Sequence, residues 1–287
     1  MNKNFVIAAA VLGALFGVPL WRLVQFAAGD DLFSYILLIP FVSLYLAWLD
    51  RKTLPPAGPP AVKTGAVFFA LGTGCLLWLW RARPELAVDA LALDTLAFVF
   101  CLACAGCTFL GGARMRSLAF PFALLIFLVP FPQALRDGIE AFLQHGSAEV
   151  ADWMFQISGL TYFRSGLFFK LPGITLQVAP ECSGIHSTVV LFITSLVAGR
   201  VLLRQPWKRA ALTLFVLPLA LLRNAFRIFV IGELCVHVGP HMIHSPIHHR
   251  GGPLFFALSL VPFFALLYFL KKSELEKKPG PPKNSKN

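Results

Sequence analysis

Residues 183–203 read SGIHSTVVLFITSLVAGRVLL and form an apolar run about as long as a bilayer crossing. Similar runs recur along nearly the whole chain, in which 57% of residues are hydrophobic and only 14% are charged. Together with a mean hydropathy of +0.72, this composition excludes an ordinary soluble domain. We predict an all-α membrane protein, a bundle of about eight transmembrane helices, near residues 5–27, 32–49, 63–80, 88–110, 118–134, 183–203, 209–235 and 253–270.

The positive charges indicate an orientation. Of the 25 Lys and Arg residues, 16 lie in the N-terminal stub, in segments 50–63, 111–117 and 200–209, and in the tail after residue 270. These are the termini and every second loop, so the positive-inside rule predicts that both termini are cytoplasmic. The net charge of +11 then faces anionic membrane lipid, and we expect no nucleic-acid partner. We predict one integral membrane domain over 1–270 and a disordered, basic cytoplasmic tail over 271–287.

One long segment, residues 135–182, lies outside the cytoplasm in this topology. Its first half carries apolar residues at helical spacing, which predicts an amphipathic helix on the membrane surface, broken near residues 146–147. Its second half has a turn signal at Pro172-Gly173 followed by alternating apolar residues, which predicts a short β-hairpin. We expect the hairpin to bring Cys182 to the outer mouth of the helical bundle.

Cys182 directly precedes the apolar run quoted above. At the amino end of a helix, unpaired backbone N–H groups and the positive end of the dipole favour a thiolate. The N–H groups of Ser183 and Gly184 are candidates to hold an oxyanion, because Gly184 has no side chain to prevent a close approach. Glu181 by itself opposes thiolate formation, and His186, one helical turn beyond the thiol, is an alternative base. The competing interpretation of such a cysteine is a small packing residue.

Two arginines lie within the predicted seventh span, where residues 221–228 read LLRNAFRI. Each costs about 2.5 to 3.5 kcal/mol at the centre of a span on insertion scales, so both need a partner or a polar cavity. Arg223 and Arg227 are four residues apart and share one helix face, with Asn224 on an adjacent row. Arg227 lies in the outer half of the span, nearer the level of Cys182.

The outer loop after this span contains five histidines, which are His237, His241, His244, His248 and His249. Their spacing permits a metal site, but the prolines and the Gly251-Gly252 pair argue against the continuous helix that this spacing requires. A general base or acid for the thiol is the better use of one of them, because imidazole titrates near neutrality.

Three further cysteines, Cys101, Cys104 and Cys107, form a CxxCxxC string in the predicted fourth span. Iron–sulfur ligands in such a string usually lie in loops and need a fourth ligand, so we interpret these residues as small-residue helix packing. We expect no cofactor and no metal.

Three motifs together resemble the exosortase/archaeosortase family of multi-pass membrane proteins. They are Glu-Cys-Ser-Gly-Ile at 181–185, Asn-Ala-Phe-Arg-Ile at 224–228, and His248 shortly before the Gly251-Gly252 pair. The resemblance covers about residues 118–270, which would be the catalytic part. It implies that Cys182, Arg227 and His248 are the catalytic residues of a cysteine protease or transpeptidase. Motif register, and not spacing alone, favours Arg227 over Arg223 and His248 over His249.

The resemblance also implies a substrate class. Family members are thought to recognise exported proteins that end in a short motif, a transmembrane helix and a basic cluster, a PEP-CTERM-like sorting signal. They are thought to cleave this signal on the outer face of the bacterial inner membrane, here through a thioester on the cysteine. The acceptor is open between water, which makes a hydrolase, and an amine, lipid or polysaccharide acceptor.

A non-catalytic transporter or assembly protein for exported polysaccharide is the alternative from another class. Transporters tend to show internal repeats and polar, broken helices at the bilayer midplane. This chain shows no repeat, and its polar residues collect at the outer end of the bundle. The sequence therefore favours the cysteine enzyme.

Overall fold

The computed structural model describes residues 2–56, 58–179, 183–244 and 252–276. Among them, six helices are long and apolar enough to cross a membrane, and there are up to eight spans if each of two bent helix pairs counts as one. The chain divides into two compact units, residues 1–136 and 137–287. The prediction of an all-α membrane bundle of about eight helices is confirmed.

The described part of the first unit is helical. Its α-helices are α1 (Lys3–Leu15), α2 (Gly17–Gly29), α3 (Ile39–Leu49), α4 (Val62–Ala82), α5 (Ala87–Phe109), α6 (Gly112–Ser117) and α7 (Ala119–Leu124). The predicted first span is the pair α1 and α2, bent by 72°. Pro19 explains the bend, because its ring clashes with the carbonyl of the residue four positions earlier and it has no N–H to donate.

Helices α4 and α5 pack through small residues. A Cβ added at Gly72 of α4 would lie 3.1 Å from the sulfur of Cys101 and 3.3 Å from the carbonyl oxygen of Ala97 on α5. Gly65 faces Cys107 in the same way, at 3.5 Å. Cys101 and Cys107 therefore line a close helix–helix contact, as the packing interpretation predicts.

The described part of the second unit contains four long helices and a small three-stranded sheet. Its elements are α8 (Gln133–Ser158), of which the first four residues belong to the first unit, β1 (Phe163–Ser165), β2 (Phe168–Leu171), β3 (Ile174–Gln177), α9 (Ile185–Leu202), α10 (Pro206–His237) and α11 (Gly252–Glu276). The strands form an antiparallel sheet in the order β1-β2-β3. The hairpin of β2 and β3 turns at Pro172-Gly173, as predicted, and β1 adds a strand that the sequence analysis missed.

Helix α8 is continuous through Gly146, so the predicted break near residues 146–147 is wrong. The glycine serves packing, because a Cβ there would lie 2.8 Å from Cδ2 of Leu221 on α10. Ser147 beside it is fully buried. The amphipathic character is present, since Phe142, Trp153 and Ile157 form one exposed apolar stripe opposite the buried face of the helix.

A compact core joins α8, the sheet and α10. Phe155 of α8 is fully buried, and its ring lies 5.4 to 5.5 Å from the rings of Tyr162, Phe169 and Phe229. Gly232 of α10 leaves room for this ring, because a Cβ there would lie 2.6 Å from Cζ of Phe155. The core fixes the sheet against the half of α10 that carries the two arginines.

Candidate active site

Helices α9 and α10 form an antiparallel pair, which determines how far along the helix axes each candidate site residue lies from the connecting turn. Helix α9 ends at Leu202 and α10 begins at Pro206. Gly184 and Arg223 each lie about 26 Å from this turn, at roughly 1.5 Å per helical residue. They are therefore level with each other, and Nη2 of Arg223 donates a hydrogen bond to the carbonyl oxygen of Gly184 at 3.1 Å.

Gly184 precedes the first residue of α9, and its backbone conformation determines how the chain enters the helix. Its φ of +69° lies in the left-handed region that favours glycine. Its carbonyl oxygen also accepts from the backbone N–H of Thr188 at 3.0 Å, from the hydroxyl of Thr188 at 2.8 Å and from the hydroxyl of Ser187 at 3.1 Å. A Cβ at Gly184 would lie 2.7 Å from Nη2 of Arg223. The close approach that the sequence suggested for an oxyanion is thus made by a guanidinium.

Unused hydrogen-bonding capacity is concentrated around this point. Arg223 and Asn224 are only 8% and 3% exposed, and Ser183 is 1% exposed. Within the part of the chain that the structure describes, Nη1 of Arg223, Nδ2 of Asn224, Oγ of Ser183 and Nδ1 of His186 are buried without a hydrogen-bond partner. Leaving a buried polar group unsatisfied costs about 1 to 3 kcal/mol. Nη1 of Arg223 and Nδ2 of Asn224 can therefore donate hydrogen bonds to the oxygen atoms of a group bound at the start of α9.

Arg227 lies on the same face of α10, one helical turn further from the α9–α10 turn than Arg223. This places Arg227 about 6 Å beyond the level of Gly184. Arg223 contacts the described start of α9 at the Gly184 carbonyl and at the Thr188 hydroxyl. The helix brings Arg223, Asn224 and Arg227 to one side of the unit, as their spacing predicts.

After strand β3 the chain continues toward the start of α9. A buried glutamine of α8 donates a hydrogen bond to the residue that follows the strand. The N–H of Val178 donates to the carbonyl of Leu167 at 2.9 Å. The carbonyl of Val178 accepts from Nε2 of Gln144 on α8 at 3.1 Å. Gln144 is buried, and the sequence analysis missed it. The available signal was a lone amide on the face of α8 that also carries Ala148 and Ala151.

An apolar cavity of about 230 Å³ lies beside Arg223, between α8, α10 and α11. It is lined by Met154, Leu219, Leu222, Arg223, Phe226, Phe255, Leu258, Ser259 and Pro262. The lining of the cavity is therefore apolar except for the buried guanidinium of Arg223 and the hydroxyl of Ser259.

At the opposite end of the unit, side-chain hydrogen bonds connect the α9–α10 turn and the start of α10 to the last turns of α11. Lys208 is 2% exposed, and its Nζ donates to the carbonyl of Leu270 at 3.0 Å and to Oγ of Ser273 at 2.7 Å. The carboxylate of Glu274 accepts from the backbone N–H groups of Arg204 and Gln205, both at 2.9 Å. These contacts connect the start of α10 to the last turns of α11, which continues past the predicted boundary at residue 270 to Glu276.

Four candidate residues, Glu181, Cys182, His248 and His249, lie outside the described residues. In the described part of the histidine loop, Nε2 of His237 lies 3.0 Å from a carboxylate oxygen of Glu233. Across the residues that the structure describes, no group of three or more His, Cys, Asp or Glu side chains is placed to hold a metal ion.

Comparison with known protein families identifies a match over most of the chain. A family model described as transmembrane exosortase matches residues 21–265, which include α9, α10 and most of both compact units. No curated protein and no solved structure matches the chain. The matched span contains the buried arginine and asparagine of α10 and the Gly184 start of α9. The chain, a multi-pass membrane protein, belongs to the transmembrane exosortase family.

Proposed function

We propose that this exosortase is a membrane-embedded cysteine peptidase and transpeptidase that cleaves C-terminal sorting signals of exported proteins. The observation that carries the proposal is the cluster of buried, unsatisfied polar groups at the start of α9, two residues after Cys182. A tetrahedral intermediate of acyl transfer carries an oxyanion, which such groups stabilise. Family membership supports the same chemistry.

The reaction begins when the Cys182 thiolate attacks the scissile carbonyl carbon and forms a C–S bond. The tetrahedral intermediate collapses, the C–N bond breaks, and the leaving amine takes a proton from His248. His248 then removes a proton from the acceptor, an amine or water, which attacks the thioester. The C–S bond breaks and the thiolate is restored, so the cycle consumes no oxidant and no reductant.

The two arginines have different tasks in this proposal. Arg227, a helical turn beyond Gly184, stabilises the oxyanion. Arg223 holds the carbonyl of Gly184 through Nη2 and directs its second nitrogen, with Nδ2 of Asn224, toward substrate oxygens. In a water-poor site such charge–oxygen contacts are stronger than in bulk water.

The substrate lies across the sheet and along the membrane-spanning helices. Its extended motif runs against α8 and the β1-β2-β3 sheet, and its apolar helix follows the cavity beside Arg223. The basic α9–α10 turn and the end of α11 meet at the opposite end of the unit. By the positive-inside rule that end is cytoplasmic, both termini are inside, and the thiol faces outward from the bacterial inner membrane.

The test is a Cys182→Ala variant expressed with an exported protein that ends in a motif, an apolar helix and a basic cluster. We expect cleavage to stop, whereas Cys75→Ala, on the exposed helix α4, should cleave normally. Continued processing by Cys182→Ala would remove the cysteine mechanism. Mass spectrometry of the product's new C-terminus then separates the acceptors, because hydrolysis leaves a free carboxylate and transpeptidation adds the mass of the acceptor.

A further inference from the structure

The cavity beside Arg223 opens toward the membrane. Leu222 of α10 and Leu258 of α11 both line it, and these residues are 47% and 53% exposed. Exposed leucines of membrane-spanning helices face the acyl chains of lipid, which are as apolar as leucine itself. The opening therefore lies between α10 and α11, and a ligand reaches the cavity from within the bilayer.

The cavity runs along the helix axes. The start of α10 bonds to the last turns of α11, so the two helices are antiparallel, and the ring of Phe226 lies 6.2 Å from the ring of Phe255. On α10 the lining extends from Phe226 to Leu219, which is about 10 Å at 1.5 Å per residue. On α11 it extends over the same length, from Phe255 to Pro262. This shape accommodates a chain that lies parallel to the helices, as the acyl chains of lipid do.

A buried cation lies beside this apolar space. Arg223 is only 8% exposed, and among the described residues its Nη1 has no hydrogen-bond partner, whereas its Nη2 donates to Gly184. The hydrocarbon core of a bilayer contains no water to accept from such a group, and leaving a buried charged donor unsatisfied costs more than the roughly 1 to 3 kcal/mol of a neutral one. A ligand that matches the cavity therefore combines an apolar chain with an anionic oxygen.

The depth of Arg223 indicates where such an oxygen comes from. The α9–α10 turn carries the exposed Arg204, which places this turn at a membrane boundary. Arg223 lies about 26 Å from the turn along α10, and the hydrocarbon core of a bilayer is about 30 Å thick. The guanidinium is therefore within about one helical turn of the opposite boundary, where the headgroup region of the lipids begins.

We infer that the cavity binds one phospholipid of the leaflet opposite the α9–α10 turn. An acyl chain lies against Leu219, Leu258 and Pro262, and a phosphate oxygen accepts a hydrogen bond from Nη1 of Arg223. Bonds from arginine to phosphate are among the strong, charge-assisted ones. In the proposed function the substrate's apolar helix follows the same cavity, so it displaces this lipid when it enters. The lipid site itself does not rest on that function, because it needs neither the thiol nor a substrate.

The experiment is photocrosslinking of the full-length protein in micelles of dodecyl maltoside, a detergent without phosphate. The probe is a phosphatidic acid with a diazirine in one acyl chain, and peptide mass spectrometry measures its attachment to α10 and α11. Unlabelled phosphatidic acid and diacylglycerol with the same chains compete with the probe and differ only in the phosphate. We expect phosphatidic acid to compete at least about tenfold better, which is the effect of one charge-assisted hydrogen bond. Excess inorganic phosphate should not compete, because it has no chain to fill the cavity.

Two variants separate the phosphate contact from the chain contact. Arg223→Met should make the two lipids compete equally. Ser259→Leu places a larger side chain in the cavity and should lower crosslinking several-fold, whereas Ala257→Leu, at an exposed position two residues earlier on α11, should leave it unchanged. Because Ser259→Leu keeps Arg223 and its bond to Gly184, it still decides the question if Arg223→Met does not fold.

Equal competition by the two lipids in the wild type, or a preference for phosphatidic acid that Arg223→Met retains, would overturn the inference and leave the cavity to the substrate's helix. Crosslinking that Ser259→Leu does not lower would do the same, since it would come from lipid around the helices. Competition by inorganic phosphate would assign Arg223 to a free anion instead of a lipid. Cleavage is not measured in any arm, so these results are independent of whether Cys182→Ala abolishes it.

Discussion

Replacing Gly184 with alanine tests the geometry at the start of α9 most sharply. The change has two costs. An alanine at φ +69° is in the left-handed region, which costs about 1 to 2 kcal/mol. The new Cβ would also lie 2.7 Å from Nη2 of Arg223. The guanidinium can swing away, but it then loses its charge-assisted bond to the Gly184 carbonyl, worth roughly 1.5 to 3 kcal/mol. We expect a total loss of about 2.5 to 5 kcal/mol.

Gly159 provides a matched control for the backbone part of this cost. Its φ is +74°, and a Cβ there meets nothing within 4 Å. Gly159→Ala should therefore lose only about 1 to 2 kcal/mol. The difference between the two variants isolates the contact with Arg223.

The assay is unfolding by SDS in mixed micelles, followed by far-ultraviolet circular dichroism, together with the rate of substrate cleavage. Gly184→Ala should be the less stable variant and should lose most cleavage, whereas Gly159→Ala should cleave at a rate near that of the wild type. In a double-mutant cycle, Arg223→Met should cost less in the Gly184→Ala background than alone. Equal stability and equal activity of the two glycine variants would refute the proposed role of the Arg223 contact.

Three other expectations concern the parts that support the site. Lys208→Met should lower the free energy of unfolding by about 1 to 3 kcal/mol, because it removes the two hydrogen bonds that the buried ammonium donates to Leu270 and Ser273; wild-type stability in the SDS assay would contradict this. Gly232→Ala should cost about 1 to 3 kcal/mol, since its Cβ would lie 2.6 Å from Cζ of Phe155; an unchanged unfolding curve would show that the ring moves freely. Burial and the hydrogen bond to Asp152 raise the pKa of Tyr162 above its usual value. That contribution to stability is complete below about pH 10 and is lost as pH rises through the raised pKa, so Tyr162→Phe should flatten the alkaline loss in a pH titration of unfolding.

The membrane fold follows from the sequence because its signal is collective. Many apolar runs of bilayer length define the spans, and small errors at each end do not change the fold class. The β2–β3 hairpin was also predictable, because Pro172-Gly173 marks its turn locally. The break assigned to α8 was wrong because Gly146 acts through a neighbour, Leu221, that is 75 residues away in sequence. A glycine that admits a packed side chain looks the same in sequence as one that ends a helix.

The candidate site was also predictable from the sequence only in part. Helical periodicity predicts that Arg223 and Arg227 share one helix face, with Asn224 on an adjacent row, and the structure has all three on the continuous helix α10. The donor to the Gly184 carbonyl was not predictable, because it depends on the length of the α9–α10 turn and on the left-handed conformation of that glycine. Gln144 and Lys208 were missed for a related reason. Each is a single polar residue that donates to a backbone carbonyl, and the sequence does not show which carbonyl lies nearby.

The central claim is that Cys182 carries the cleaved protein as a thioester. The most direct measurement is intact-protein mass spectrometry of the enzyme after rapid acid quenching with a sorting-signal substrate, followed by mapping of the modified peptide. The account predicts a covalent adduct on Cys182 that carries the substrate's upstream part and is released by neutral hydroxylamine. A substrate that is cleaved at the wild-type rate with no adduct on this residue at any quench time would contradict the account.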